Sequence, residues 1–383
     1  ATIPAAAVGT APSADEHGAP GSSGERVEET KDVAQGIASD VTHPNGDVEQ
    51  PEDAQILDVA FSPRFEQDAT VLAAGQADCG QGTCPPVLFR SADGGATWVR
   101  LPAEGFQGTQ LLLPPGPGDP RIFALAPGGL QVSEDGGATF MAAATWGPSF
   151  TVGSAAISPA FGEADPRILI GAQSLMRYRD DAGILQPEPY PGMTGPLQPA
   201  FSPDHDGVIL VGGVGWDQAS GKMSAMVFRC TAAPVCDAAP VDAVGQPPRV
   251  RVPADFAETQ AAYAFVRDGD AYASADGGRS FQALPAPWEG GSLWDLAVAP
   301  GGVVLAGVAV DPDAPEALPA GVYRSSDGGM TWTPVHDPLL AAGTRRVVEA
   351  GGVVVVALEG GGLACSTDGG SSWHRTCGDA QGS

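Results

Sequence analysis

One eight-residue phrase occurs five times along the chain and constrains the fold more than any other feature. The copies are Ser91-Ala-Asp-Gly-Gly-Ala-Thr-Trp98, Ser133-Glu-Asp-Gly-Gly-Ala-Thr-Phe140, Ser274-Ala-Asp-Gly-Gly-Arg-Ser-Phe281, Ser325-Ser-Asp-Gly-Gly-Met-Thr-Trp332 and Ser366-Thr-Asp-Gly-Gly-Ser-Ser-Trp373. Asp followed by two glycines is a tight-turn signal, because glycine accepts positive φ and Asp accepts hydrogen bonds from amides ahead of it. Apolar residues before the turn and an aromatic after it make each copy a β-hairpin.

Two degenerate copies fill the gaps between these five. Met176-Arg177-Tyr178-Arg179-Asp180-Asp181 keeps an Asp and leads to Leu185. Phe228-Arg229-Cys230 aligns with Phe89-Arg90-Ser91, but Cys230 to Cys236 replaces the turn itself. The seven anchors fall at positions 91, 133, 178, 230, 274, 325 and 366, spaced by 42, 45, 52, 44, 51 and 41 residues. That is the length of a four-stranded propeller blade. Each repeat reads as strands A to D. In the first, these are residues 56–61, 70–74, 86–90 and 97–101; in the last, 346–349, 353–358, 363–366 and 372–375. Runs such as Val353-Val-Val-Val-Ala-Leu358 are apolar on both faces, as a strand between neighbouring blades must be.

The phrase resembles the Asp-box, or BNR repeat, found in sialidases, xyloglucan hydrolases, sortilin-type receptors and photosystem II assembly factors. The resemblance implies an all-β, seven-bladed propeller of four-stranded antiparallel blades over residues 54–383. It does not fix a function, because enzymes and pure binders share the fold. Both chain ends carry complete blades, so ring closure is expected from face-to-face packing of the first and last. A strand near Val33–Ile37 is the alternative.

The box carboxylates Asp93, Asp135, Asp276, Asp327 and Asp368 are read as structural. Each sits in a peripheral C–D hairpin, too far from the others to share a substrate, and in related enzymes the boxes lie away from the active face. Sialidase chemistry is disfavoured. The family uses three arginines on the substrate carboxylate, a Tyr–Glu pair and an Arg-Ile-Pro motif, whereas Arg121-Ile-Phe and Arg167-Ile-Leu lack the proline. Xyloglucanase-type enzymes enclose a cleft between two propellers, and this chain supplies one. Photosystem II assembly factors match in size and repeat, and they typically present an arginine patch. Here few arginines cluster beyond Arg345-Arg346, and the net charge of −27 departs from that pattern.

Residues 1–53 hold 11 acidic and two basic residues with little apolar periodicity, and are read as a disordered acidic linker with room for a short helix near Glu28–Ala38. They carry −9 of the charge and the body −18. Such a chain repels phosphate backbones, so nucleic acid and anionic membranes are poor partners. No apolar run approaches the ~20 residues of a transmembrane helix.

Six cysteines form three local pairs: Cys79 with Cys84, Cys230 with Cys236, and Cys365 with Cys377. Disulfides fit better than zinc, since CxxC spacing is absent, and they point to an oxidising compartment. The expected location is therefore extracellular or in the cell envelope, with the linker as a lipid- or wall-anchored spacer. No cofactor is expected. Calcium at Asp311 and Asp313, or a metal at Asp204 and Asp206, is the weaker reading against turn formation.

The B–C and D–A loops are the expected binding face. Candidate ligand contacts are Trp146, Trp216, Trp288, Trp294, Arg345 and Arg346; for the four tryptophans, packing between blades is the competing reading. The expected function is an exported, non-catalytic module that binds a protein or glycan, with a subunit of a surface assembly as a further reading. The alternative is a polysaccharide-active hydrolase or lyase using Asp217, Glu289 and Asp295, since glycosidases place two carboxylates roughly 5 to 9.5 Å apart.

Overall fold

A computed structural model describes residues 51–378, apart from 80–83, 117, 148, 163–164, 189, 191, 204–206, 233–234, 242–245, 289–291 and 310–319. The segment near Val33–Ile37 and the helix expected near Glu28–Ala38 lie outside the described residues.

The strands form seven antiparallel sheets arranged as the blades of a propeller. Each blade is a meander in chain order, beginning with the inner strands Gln55–Phe61, Gln110–Leu112, Ser154–Ile157, Thr194–Phe201, Arg249–Arg251, Ser292–Ala299 and Thr344–Ala350. Six blades have four strands. In the seventh, the fourth strand expected at 372–375 shrinks to a single bridge between Cys365 and His374.

Seven separate apolar clusters hold the ring, one in each seam between adjacent blades. The second strands supply much of each seam: Val71–Gln76 and Val353–Leu358 are almost wholly buried along their length. A two-sided apolar strand is stable only there, where each fully buried Leu, Ile or Val contributes about 2 kcal/mol.

The seam that closes the ring has the same construction as the others. Ile56, Val71, Phe89 and Trp98 of the first blade pack on Val355, Leu363, Cys365 and Cys377 of the last. The first sheet contains only its own four consecutive strands, so among the described residues no strand is borrowed to close the ring. The amide of Cys377 donates to Gly95 O (3.1 Å) and that of Gly362 to Ala54 O (2.9 Å) across this seam.

The five repeated hairpins share one hydrogen-bond pattern. In the first, Ser91 Oγ donates to Asp93 Oδ1 (2.8 Å) and accepts from Gly95 N (2.7 Å), while Thr97 donates through its amide (2.8 Å) and hydroxyl (2.6 Å) to Asp93. The same four bonds recur around Asp135, Asp276, Asp327 and Asp368. The second glycine of each pair has positive φ and faces the preceding blade. A Cβ there would come within 2.6 Å of Leu101 at Gly137, and within 2.9 Å of Cys377 at Gly95. Glycine is therefore required twice over, by backbone conformation and by seam packing.

The fourth blade lacks this turn and carries a disulfide instead. Cys230 and Cys236 are cross-strand partners, joined covalently at a Cα separation of 4.2 Å. Cys79–Cys84 and Cys365–Cys377 are also disulfide-bonded, and no cysteine is free.

Candidate functional site at the channel mouth

The site is built by irregularities in the inner strands. The pairing of the first strand in blades 1, 6 and 7 slips between Ile56 and Asp58, between Leu293 and Asp295, and between Thr344 and Arg346. Each slip is a β-bulge, and a bulge re-aims side chains. The extra residues are Leu57, Trp294 and Arg345, and all three line the central channel. The residues that follow them, Asp58, Asp295 and Arg346, occupy equivalent positions in their blades.

These three residues form a clasp between blades. Asp58 accepts from Leu111 N of the next blade (2.7 Å), and Asp295 accepts from Val347 N of the next blade (3.1 Å). Arg346 pairs through Nη1 with Asp295 (3.0 Å) and through Nε with Asp58 (2.7 Å). The Nε contact is an ion pair without hydrogen-bond alignment. Arg251 of blade 5 binds Asp295 through Nη2 and Leu296 O through Nε (2.9 Å). In blade 2, Gln110 makes the analogous clasp, exchanging two hydrogen bonds with the Ala155 backbone of blade 3 (2.8 and 2.9 Å).

The two carboxylates respond differently to this setting. Burial alone pushes both up. At Asp295 the attraction of Arg251, Arg346 and Arg249 outweighs burial and holds the carboxyl below its ordinary value. Asp58 has only Arg346 and backbone amides against its burial, and stays above. Burial pushes the guanidiniums of Arg249 and Arg251 down, and crowding by Arg346 adds to it, yet an arginine so placed remains charged.

Above the clasp, Trp294 is flanked by two cations. Arg267, on the B–C turn of blade 5, lies with Cζ 3.3 Å from the ring centroid, and Arg345 lies at 4.9 Å. Arg345 also pairs with Glu359 (3.2 Å). Trp294, Arg267 and Arg345 line a cavity of about 710 Å³. Its wall is two-sided. Blades 5 and 7 present Arg249, Arg251, Arg267, Arg345 and Arg346, whereas blades 3 and 4 present Phe150, Val152, Ala155 and Pro199.

The structure thus brings together Trp294, Arg345, Arg346 and Asp295 from the sequence-derived candidates, and separates the rest. Trp288 is 4% exposed and packs edge-on against Tyr323 and Trp332, so it is core. Trp146 is half-buried; its indole N–H donates to Pro127 O and its ring backs Phe150. Trp216 is 61% exposed, paired with Met223 at the tip of a long hairpin in blade 4. Asp217, beside it, accepts from Ala219 and Ser220 amides and serves that turn. Glu289, Asp204, Asp206, Asp311 and Asp313 lie outside the described residues. Among the described residues no cluster of His, Cys, Asp and Glu has the makings of a metal site.

Sequence reading missed Asp58, Arg249, Arg251 and Arg267. Two signals for them exist. Leu57-Asp58-Val59-Ala60 aligns with Trp294-Asp295-Leu296-Ala297 at the same point of the repeat, and Arg249-Val250-Arg251 alternates around a buried Val. The expectation of little arginine clustering beyond Arg345-Arg346 is corrected by the ring, which brings five together from two blades.

No protein-family model matches the sequence, and no curated protein matches it. Solved structures do. YCF48 from Cyanidioschyzon merolae superimposes with a TM-score of 0.55 at 14% identity, covering 82% of this chain and 96% of that one. The chain is a seven-bladed β-propeller. The WD40 propeller domain of Doa1 gives a TM-score of 0.51 at 10% identity, covering 84% and 96%. The GH74 enzyme of Niastella koreensis gives 0.46 at 16% identity, covering 84% of this propeller and 65% of that chain. Likeness at such identities shows the fold alone.

Proposed function

We propose that this propeller is an exported, non-catalytic binding module that takes a protein or glycan at the face formed by its B–C and D–A loops, over the channel mouth. The observation that carries this reading is the state of Asp295. It is the one candidate acid/base group described at the channel, and it is fully buried and bound to two arginines and two backbone amides. A carboxylate so committed has no proton to give and no lone pair to spare. The mouth instead offers Trp294 with exposed edges of Arg267 and Arg345, a combination suited to anchoring a partner. Three disulfides support an oxidising compartment, and the acidic residues 1–53 would act as a spacer.

The test is a screen of the full chain against plant, bacterial and animal polysaccharides, reading both product release and binding. Binding without turnover, weakened by Trp294→Ala, is the expected result. Product release abolished by Asp217→Asn, Glu289→Gln or Asp295→Asn would overturn the reading in favour of a hydrolase or lyase.

A further inference from the structure

The cationic half of the channel is not neutralised from within. Five arginines line the cavity, and the carboxylates that answer them are Asp58 in its wall, the buried Asp295 behind it, and Glu359 and Asp268 at its edge, so positive charge is in excess there in a chain whose net charge is −27. The surplus has an address. Among the described residues Arg249 and Arg267 have no carboxylate within ion-pair distance: Asp295 and Asp58 attract Arg249, and Asp268 and Glu359 attract Arg267, only from farther off, while Arg267 rests on the Trp294 ring. The buried Nε of Arg345 has no hydrogen-bond partner. Asp58 and Asp295 cannot turn to help, because each is held by an arginine and an amide of the next blade. Desolvated cations without counter-charge are unfavourable, and an anion placed between them would relieve that.

We infer that the channel cavity is a binding site for a small organic dianion, its oxoanion groups held by the guanidinium forks of Arg249, Arg267 and Arg345 and its body against the apolar wall of blades 3 and 4. Guanidinium forks match carboxylate and tetrahedral oxoanions alike. The volume of about 710 Å³ lies within the range of small-molecule sites. Phe150, held in place by the Trp146 ring, with Val152 and Pro199, gives the other end of such a ligand a dry surface. The inference deepens the reading of this face as the binding face, yet it fails separately. Anion binding with no glycan or protein partner leaves the channel site standing; a macromolecular partner with no anion binding leaves the module standing.

Isothermal titration calorimetry on the full chain at constant ionic strength, pH 7.5, tests it with sulfate, malonate and phthalate. We expect saturable one-to-one binding of sulfate or malonate, with phthalate tighter than malonate because of the apolar wall. A sulfate preference identifies a tetrahedral head group and a malonate preference a carboxylate. Arg249→Gln and Arg267→Gln should each weaken binding tenfold or more, and Arg279→Gln, an exposed arginine in a peripheral turn, should not. Arg267 sits on a turn, so its variant keeps the test decisive should Arg249→Gln fail to fold, which a melting curve would show. Absence of saturable binding by all three probes overturns the inference, as does undiminished binding in Arg267→Gln. Equal affinity for phthalate and malonate overturns the two-sided form of the site.

Discussion

Aspartates at the rim and aspartates at the channel do opposite kinds of work with one side chain. At the rim, Asp135, Asp276, Asp327 and Asp368 bond within their own hairpins, to groups two to four residues away. Their carboxyls are held at about 2 by those short bonds, chiefly from the Thr or Ser that closes each turn. At the channel, Asp58 and Asp295 bond to residues roughly fifty positions away and tie separate blades together. Rim carboxylates stabilise a turn; channel carboxylates stabilise the ring and set the field in the cavity. Blades held mainly by seam packing need such a clasp where the channel would otherwise be a row of loose inner strands.

The largest expected effect lies at the channel. Asp295→Ala leaves Arg251 and Arg346 without their shared partner, and removing one side of a buried ion pair costs about 3–5 kcal/mol. Denaturant unfolding of the variant measures it. Asp295→Asn, which still accepts from Val347 N, should lose less. A loss below about 1 kcal/mol for the alanine would break the distinction between clasp and rim.

Next in size is the covalent staple of blade 4. Replacing both Cys230 and Cys236 with Ala removes a short loop closure worth about 2 kcal/mol. The same melt in the presence of reductant should converge on the variant, provided the other two disulfides are compared alongside.

A rim substitution should cost less. Ser133→Ala removes the acceptor for the buried Gly137 amide and one donor to Asp135, an expected loss of about 1–2 kcal/mol. A loss as large as that of Asp295→Ala would erase the contrast.

The smallest effects are in pH. The rim carboxyls are depressed in the fold, so their stabilising contribution is complete above the ordinary value near 3.8 and is lost as pH falls through about 2. Asp58 has the reverse sign. Its carboxyl is raised, so protonation favours the fold, and that contribution fades as pH rises through 3.8 toward its folded value. Thermal melts between pH 5 and 2 should therefore fall for the wild type, fall less for Asp327→Asn, and fall more steeply for Asp58→Asn.

The rim was legible in the sequence because its chemistry is local. Eight consecutive residues contain every donor and acceptor of the hairpin, and repetition at blade length announces the ring. Even the missing turn of blade 4 was readable, since Cys230 and Cys236 stand where the turn's first and seventh residues would be. The channel was not legible for the converse reason. Arg249, Arg267, Asp295 and Arg346 meet only after three blades have folded and closed, and Trp294 and Arg345 point inward because of bulges that no turn residue marks. Loop position does not separate Trp288 from Trp294 in the sequence: either can be packing or a contact, and the fold puts Trp288 in the seam between blades 5 and 6 and Trp294 at the channel.

Where an anion settles on the ring is the decisive question. A crystal structure of the full chain soaked in selenate, an anomalous scatterer with the shape and charge of sulfate, answers this directly. The strongest anomalous peak is expected in the channel, within hydrogen-bond distance of Arg249 and Arg267. A channel without a peak, with selenate found only among the rim turns, would contradict it.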